Sequence, residues 1–264
     1  LPLEEAKISI LDIGILRGYS VYDGMALING KVLRFSDHWQ RFNQGAEALS
    51  LKVLISKEEL EQKIIEITQK SGFSTRANIR LILTGGETIG GIDYDHEKPT
   101  FYAVAEKWEP LPNEYYEKGT KLVTSRHMRE MPKFKTTNYI EAVKLQKMRK
   151  EEEAVEILYM FEGEVLECAT SNIFLVKDNV LITPATDILG GITRKIVLEL
   201  ADGNYKIEQR KVAEGELKSA DEVFITSSFK DVVPIVKIDD FSISNGEVGP
   251  VTKDLMDKFA KYIV

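Results

Sequence analysis

Three stretches of this sequence place small, hydroxylated or acidic residues where a phosphorylated ligand could be held. The first, Thr183-Pro184-Ala185-Thr186-Asp187-Ile188-Leu189-Gly190-Gly191-Ile192-Thr193-Arg194, runs into the apolar helix pattern of 195–201. Two adjacent glycines let backbone approach a ligand closely, and the free N–H groups that open a helix attract an anion, which would set a phosphate against Ile192 and Thr193. An ordinary glycine-rich turn ahead of a helix has the same composition. The second, Glu222-Val223-Phe224-Ile225-Thr226-Ser227-Ser228, is a strand pattern that ends in three hydroxyls. Hydroxyls there suit phosphate oxygens, and equally serve as turn formers or helix caps. In the third, Gly163-Glu164-Val165-Leu166-Glu167-Cys168-Ala169-Thr170-Ser171-Asn172-Ile173-Phe174, Glu167 closes one strand ahead of another at 173–176. Its carboxylate faces either a pocket or solvent.

The elements that must position these residues read as an α+β pattern in two domains with mostly antiparallel sheets. Residues 19–35 alternate in strand fashion around Asn29-Gly30, a dipeptide suited to a tight hairpin turn. Ser36 reads as the N-cap of a helix reaching Leu49, and Ser56 with Glu59 as a capping box for a helix ending near Gly72. Lys7 to Leu11 reads as a strand, as do 78–84 and 100–105. The segment Trp108-Glu109-Pro110-Leu111-Pro112-Asn113 has the composition of a connection. It puts a smaller domain at 1–107, a link at 108–118 and a larger domain at 119–264. In the latter the pattern predicts a strand near 121–126, a helix over 138–152, a hairpin turning at Glu162-Gly163, a turn at Lys177-Asp178-Asn179, a helix from Gly191 and a last helix over 251–262.

At 264 residues and 43% hydrophobic content the chain is long enough to bury a sizeable core. A formal net charge of −7 with mixed signs argues against a nucleic acid or membrane-surface partner. No apolar run is long enough to span a membrane, and Leu1-Pro2-Leu3-Glu4-Glu5 lacks the basic and apolar regions of a signal peptide, so the expected location is cytoplasmic. Cys168 is the one cysteine, and His38, His96 and His127 form no metal-ligand spacing, so neither an internal disulfide nor a metal is expected.

Taken in order, from Ile10-Leu11-Asp12 and Arg17-Gly18-Tyr19-Ser20-Val21-Tyr22-Asp23 to the final helix, the chain resembles the class IV aminotransferases, which have the fold type IV of pyridoxal-phosphate enzymes. The resemblance implies that His38-Trp39-Gln40-Arg41 supplies Arg41 to the phosphate of pyridoxal 5′-phosphate, a task to which a guanidinium fork is suited. It implies that Lys135, in Lys135-Thr136-Thr137-Asn138, is the lysine bonded to the cofactor, whereas Lys133 has the wrong spacing to Asn138. Nothing in the residues alone separates Lys135 from the other lysines. By the same resemblance Glu167 pairs with the pyridine nitrogen, Leu189 packs on the ring, and Ile192, Thr193, Ser227 and Ser228 hold the phosphate. Cys168 and Ala169 depart from the Gly or Ser of many relatives, and Cys168 reads as a small packed residue.

Substrates implied by the family are an amino acid and a 2-oxo acid, exchanged in ping-pong order by a homodimer. Arg17, Tyr22 and Arg80 are the residues expected on the substrate side, although both arginines also read as structural ion-pair residues. A pair of arginines without an Arg-x-His pair after Gly86 resembles a less common group of D-amino acid transaminases, which places a D-amino acid ahead of a branched-chain L-amino acid. An aminodeoxychorismate lyase on the same scaffold, or a binding protein that keeps the fold without the chemistry, are the alternatives.

Overall fold

A computed structural model of the protein describes residues 1–73 and 75–264. It divides into two compact units, one comprising Leu1–Trp108 with Phe134–Asn138, the other Glu109–Lys133 with Tyr139–Val264.

The first unit is built on an antiparallel sheet whose strands lie in the order Lys31–Val32, Ser20–Ile28, Arg76–Thr84 and Thr100–Lys107. Asn29 (φ 49°) and Gly30 (φ 77°) form the expected tight turn between the first two. Helices Phe35–Ala48 and Lys57–Lys70 cover the sheet, and Val21, Met25, Leu27, Ile79, Leu81 and Leu83 pack with Phe42, Leu60 and Ile64 in its core.

The return strand is only two residues long and leaves the start of Ser20–Ile28 with an open edge. Residues 135–137 fill it: Tyr22 N donates to Lys135 O (2.9 Å), Thr137 N donates to Ser20 O (3.2 Å), and Val21 bridges Thr136. Edge N–H and C=O groups that would be unpaired are thereby satisfied. The sequence reading put Lys135 in the C-terminal domain; its backbone bonds tie it to the first unit instead.

Ser36 is not the N-cap of its helix. Arg34, in the left-handed conformation (φ 53°), occupies that position and turns the short strand directly into the helix, while Ser36 Oγ accepts from Lys57 Nζ at 2.8 Å. Ser56 does cap as expected, accepting from Glu59 N at 3.1 Å. Residues 7–11 form no strand. Ser9 closes a local turn there, its Oγ accepting from Leu11 N and its carbonyl from Asp12 N.

The second unit carries a mixed ten-stranded sheet in the order Lys206–Gln209, Val180–Thr183, Asn172–Lys177, Glu222–Ser227, Asp231–Ile238, Thr120–Arg126, Glu156–Phe161, Glu164–Cys168 and Val212–Ala213, with Phe241–Ser242 paired to Asp231–Ile238. Most neighbours are antiparallel; Thr120–Arg126 is parallel to both its partners. The positive φ angles of Glu162, Gly163, Asp178 and Asn179 make the expected turns. Helices Ile192–Ala201 and Pro250–Tyr262 complete the unit.

The helix expected over 138–152 is two short ones, Ile140–Lys144 and Gln146–Glu151. Gln146 places its own side-chain amide on Ala142 O at 2.9 Å, the carbonyl its backbone N–H would use in an unbroken helix. Among the described residues no helix is long and apolar enough to cross a membrane, and no group of three or more His, Cys, Asp or Glu is placed to hold a metal.

Candidate active site

In the first unit the buried face of Ser20–Ile28 carries Asp23, whose side chain is fully enclosed. Its Oδ2 accepts from Arg41 Nε and its Oδ1 from Arg41 Nη2, both at 2.8 Å, and Oδ1 also accepts from His38 Nδ1 at 2.7 Å. His38 and Arg41 lie one turn apart on the helix Phe35–Ala48, so the His-x-x-Arg spacing turns both toward the same carboxylate. Burial works to raise the Asp23 carboxyl, but the Arg41 guanidinium and His38 outweigh it and hold the group well below the ordinary carboxylate range. Burial lowers His38, Asp23 restores part of that, and the positive charges of Arg41 and Lys135 lower it further. His38 is therefore neutral at pH 7, with its Nδ1 proton on Asp23. Arg41 is thereby oriented by a buried acid.

The opposite face of the same strand carries Tyr22. Because Tyr22 pairs with Ile82 and Gly24 with Arg80, Arg80 is the diagonal cross-strand neighbour of Tyr22 on that face. Lys135 Nζ lies 4.6 Å from the centroid of the Tyr22 ring, a cation–π distance. Lys135 is half-buried, whereas Lys133 is exposed. Arg80 is half-exposed and pairs through Nε with Glu106 Oε2 at 2.6 Å. Arg17, exposed at the end of the short helix Ile13–Arg17, donates to the adjacent Leu16 carbonyl at 2.9 Å.

In the second unit Glu167 is buried, and its carboxylate is the hub of a network. Oε1 accepts from Arg129 Nε (2.8 Å) and Nη2 (2.7 Å); Oε2 accepts from Leu189 N (3.0 Å) and, more distantly, Asn172 Nδ2 (3.5 Å). Arg129, itself buried, also donates to Pro132 O at 2.5 Å. The Arg129 guanidinium supplies the counter-charge to this acid.

Asn172 Nδ2 donates to Leu189 O at 2.8 Å, so Glu167 and Asn172 together fix the backbone of the glycine-rich turn. Beyond that turn Gly191 is the N-cap of Ile192–Ala201, and no side chain among the described residues caps this helix end. A Cβ on Gly191 would lie 2.0 Å from Asn172 Oδ1, so only glycine fits. Ile192 and Thr193 are buried at this uncapped end. Ser227 closes the strand Glu222–Ser227, and Ser228 follows it, both half-buried. Among the described residues Thr226 Oγ1 is buried with no hydrogen-bond partner. A helix end without a cap, two available hydroxyls and an orphaned third form a donor set that fits a phosphate.

Cys168 is buried among Leu158, Ile173 and Ile225, and burial pushes its thiol well up, as befits the packed residue expected. Sequence reasoning missed Arg129, Asp23 and Asn172 as parts of these networks. Asn172 stood inside a quoted motif, but Arg129 lies 38 positions from its carboxylate partner, and no local pattern marks it.

A family model described as amino-transferase class IV matches residues 20–238. "Branched-chain-amino-acid aminotransferase-like protein 2" of Arabidopsis thaliana is 33% identical over 99% of this chain and 48% of its own length. A D-alanine aminotransferase of Staphylococcus aureus is 30% identical over 98% of this chain and 93% of its own. The T.th. branched-chain amino acid aminotransferase, solved with pyridoxamine 5′-phosphate, is 29% identical with a TM-score of 0.91, covering 100% of this chain and 91% of that one. The chain thus spans about half the length of the plant relatives it matches and nearly all of the staphylococcal one. With the family model spanning most of its length, the chain belongs to the class IV aminotransferases, a family whose cofactor is pyridoxal 5′-phosphate.

Proposed function

We infer that the protein is an aminotransferase that moves an amino group between an α-amino acid and a 2-oxo acid in ping-pong order. The observation that carries this is Lys135: half-buried, its backbone bonded to the strand beside Tyr22, and its Nζ over the Tyr22 ring. A surface lysine has no need of such placement, and a binding protein without chemistry would have no use for the amine.

The cofactor, when bound, supplies an electron sink for the pair released as the substrate α-proton leaves. Lys135 would hold the cofactor through its amine and, as a free amine, would take the proton from the substrate α-carbon and deliver it to the carbon the lysine had held. The Glu167 carboxylate, paired with Arg129, would hold the pyridine nitrogen and favour its protonated form. The N–H groups of Ile192 and Thr193, the hydroxyls of Ser227 and Ser228, and the charge of the Arg41 guanidinium, which Asp23 orients, would hold the phosphate, with Leu189 against the ring. Tyr22, Arg80 and Arg17 bind the substrate, Arg17 from the partner subunit of a homodimer. A cytoplasmic location accompanies this reading.

A D-amino acid is the favoured donor on the pattern of Arg17 and Arg80 without an Arg-x-His pair after Gly86; Arg80 shares a sheet face with Tyr22 and is paired with Glu106. The plant and T.th. relatives favour the branched-chain L-amino acid as the second reading. The test is a half-reaction panel with D-alanine, L-leucine and aminodeoxychorismate, in which oxo-acid release from D-alanine above L-leucine is expected. Pyruvate from aminodeoxychorismate, with no reaction from either amino acid, would make the protein a lyase.

A further inference from the structure

One ionic cluster in the second unit, built on a buried carboxylate, has no part in the chemistry above. Glu156, at the start of Glu156–Phe161, is buried, and Lys230 Nζ donates to its Oε1, to Thr170 Oγ1 at 2.7 Å and to Ser171 Oγ at 3.1 Å. Thr170 and Ser171 in turn donate to the same Oε1, Ser171 at 3.1 Å. Each hydroxyl accepts from the ammonium and donates to the carboxylate, and all three Lys230 N–H donors are used. Burial works to raise the Glu156 carboxyl, but Lys230 and the two hydroxyls outweigh it and lower it. Isolated buried charges are costly, and a closed network of this kind holds the segments that contribute to it in one arrangement.

Those segments are informative. Lys230 lies in the three-residue loop that joins Glu222–Ser227 to Asp231–Ile238, the loop that carries Ser228 and follows Ser227. Thr170 and Ser171 lie in the turn directly after Glu167 and Cys168, and Ser171 O accepts from Cys168 N at 2.8 Å. Lys230 acts on the loop a second time through its backbone, whose N–H donates to Ser227 Oγ at 3.3 Å, while its carbonyl accepts from Tyr116 OH at 3.1 Å. With a lone pair of Ser227 Oγ occupied, its proton is directed elsewhere.

We propose that Lys230 is a positioning residue for phosphate recognition: by stapling the 228–230 loop to the 169–171 turn through Glu156, it sets where the Ser227 and Ser228 hydroxyls point. This rests on the assignment of those two hydroxyls to the cofactor phosphate. The ligand chemistry it selects for is a phosphate monoester over the same ring without one.

The test compares dissociation constants of the apo-protein for pyridoxal 5′-phosphate and for phosphate-free pyridoxal. Lys230→Met alone strands the Glu156 charge, so the main variant is Lys230→Met with Glu156→Gln, and thermal melting of the apo-protein reports folding separately. The double variant is expected to bind pyridoxal 5′-phosphate roughly tenfold more weakly, the scale of one charge-assisted hydrogen bond, and pyridoxal unchanged. Lys230→Arg is expected to restore most of the preference. Equal weakening toward both ligands, or no change toward either, would overturn the proposal. Ser227→Ala with Ser228→Ala separates the two ideas: if it lowers the preference and the Lys230 double variant does not, only the positioning role fails, whereas if it leaves the preference intact, the hydroxyl assignment fails and the positioning role with it.

Discussion

Asp23 accepts from both Nε and Nη2 of Arg41 at 2.8 Å, a two-point grip inside the first unit that fixes the plane of the guanidinium. His38 completes it from the same helix turn. The first consequence is a particular dependence of stability on acid. His38 has its folded pKa lowered, so the unfolded chain binds its proton more readily; that contribution is present above about 6.5 and is lost as pH falls through the lowered value. Asp23 is also depressed, so its contribution is present above about 3.9, the ordinary aspartate value, and is lost on further acidification. Urea unfolding of wild type and His38→Gln between pH 7.5 and pH 4, roughly the span of those two values, should show the upper part of the fall in wild type and its reduction in the variant. Identical slopes would remove His38 from the explanation.

Arg129 and Glu167 form a buried pair whose two halves depend on each other. Arg129→Gln leaves a carboxylate enclosed without its counter-charge, at a cost of about 3–5 kcal/mol, and Glu167→Gln leaves the guanidinium in the same position. The double variant should recover part of the loss. Chemical denaturation of all four apo-proteins measures the coupling, and strictly additive losses would show that the pair is not acting as one.

Gly191→Ala addresses the helix end. The added methyl meets Asn172 Oδ1, so either the Asn172 bond to Leu189 O breaks or the helix start shifts. Cofactor affinity should fall roughly tenfold or more, and the melting temperature of the apo-protein should fall as well, because the clash and the lost buried hydrogen bond exist without the ligand. Equilibrium dialysis against pyridoxal 5′-phosphate measures it; unchanged affinity would take the helix end out of phosphate binding.

How much of this was legible in the sequence depended on the range over which each feature is determined. Asn29-Gly30, Glu162-Gly163 and Asp178-Asn179 each force a local backbone geometry, and all three turns are where their residues require them. Gly191 was visible as a glycine beside a helix start, but its reason, the 2.0 Å approach to Asn172, is tertiary. The broken helix at Gln146 and the displaced N-cap at Ser36 were misread because a side chain competes locally in one case and a left-handed Arg34 overrides it in the other. Lys135 was assigned by resemblance alone; what singles it out physically is the open strand edge that its segment fills, and that edge exists only once the hairpin has folded with a two-residue return strand. The Glu156–Lys230 pair spans 74 positions and leaves no trace in local pattern.

Lys135 decides the transaminase assignment. The measurement is a single-turnover half-reaction: cofactor-loaded wild type and Lys135→Ala are each mixed with D-alanine, and separately with L-leucine, in the absence of an acceptor, and the released oxo acid is quantified. Wild type should release oxo acid stoichiometrically with protein, and the variant should do so at least about a thousandfold more slowly, the scale of losing a positioned proton-transfer group. Oxo acid released at the wild-type rate by Lys135→Ala would contradict the assignment.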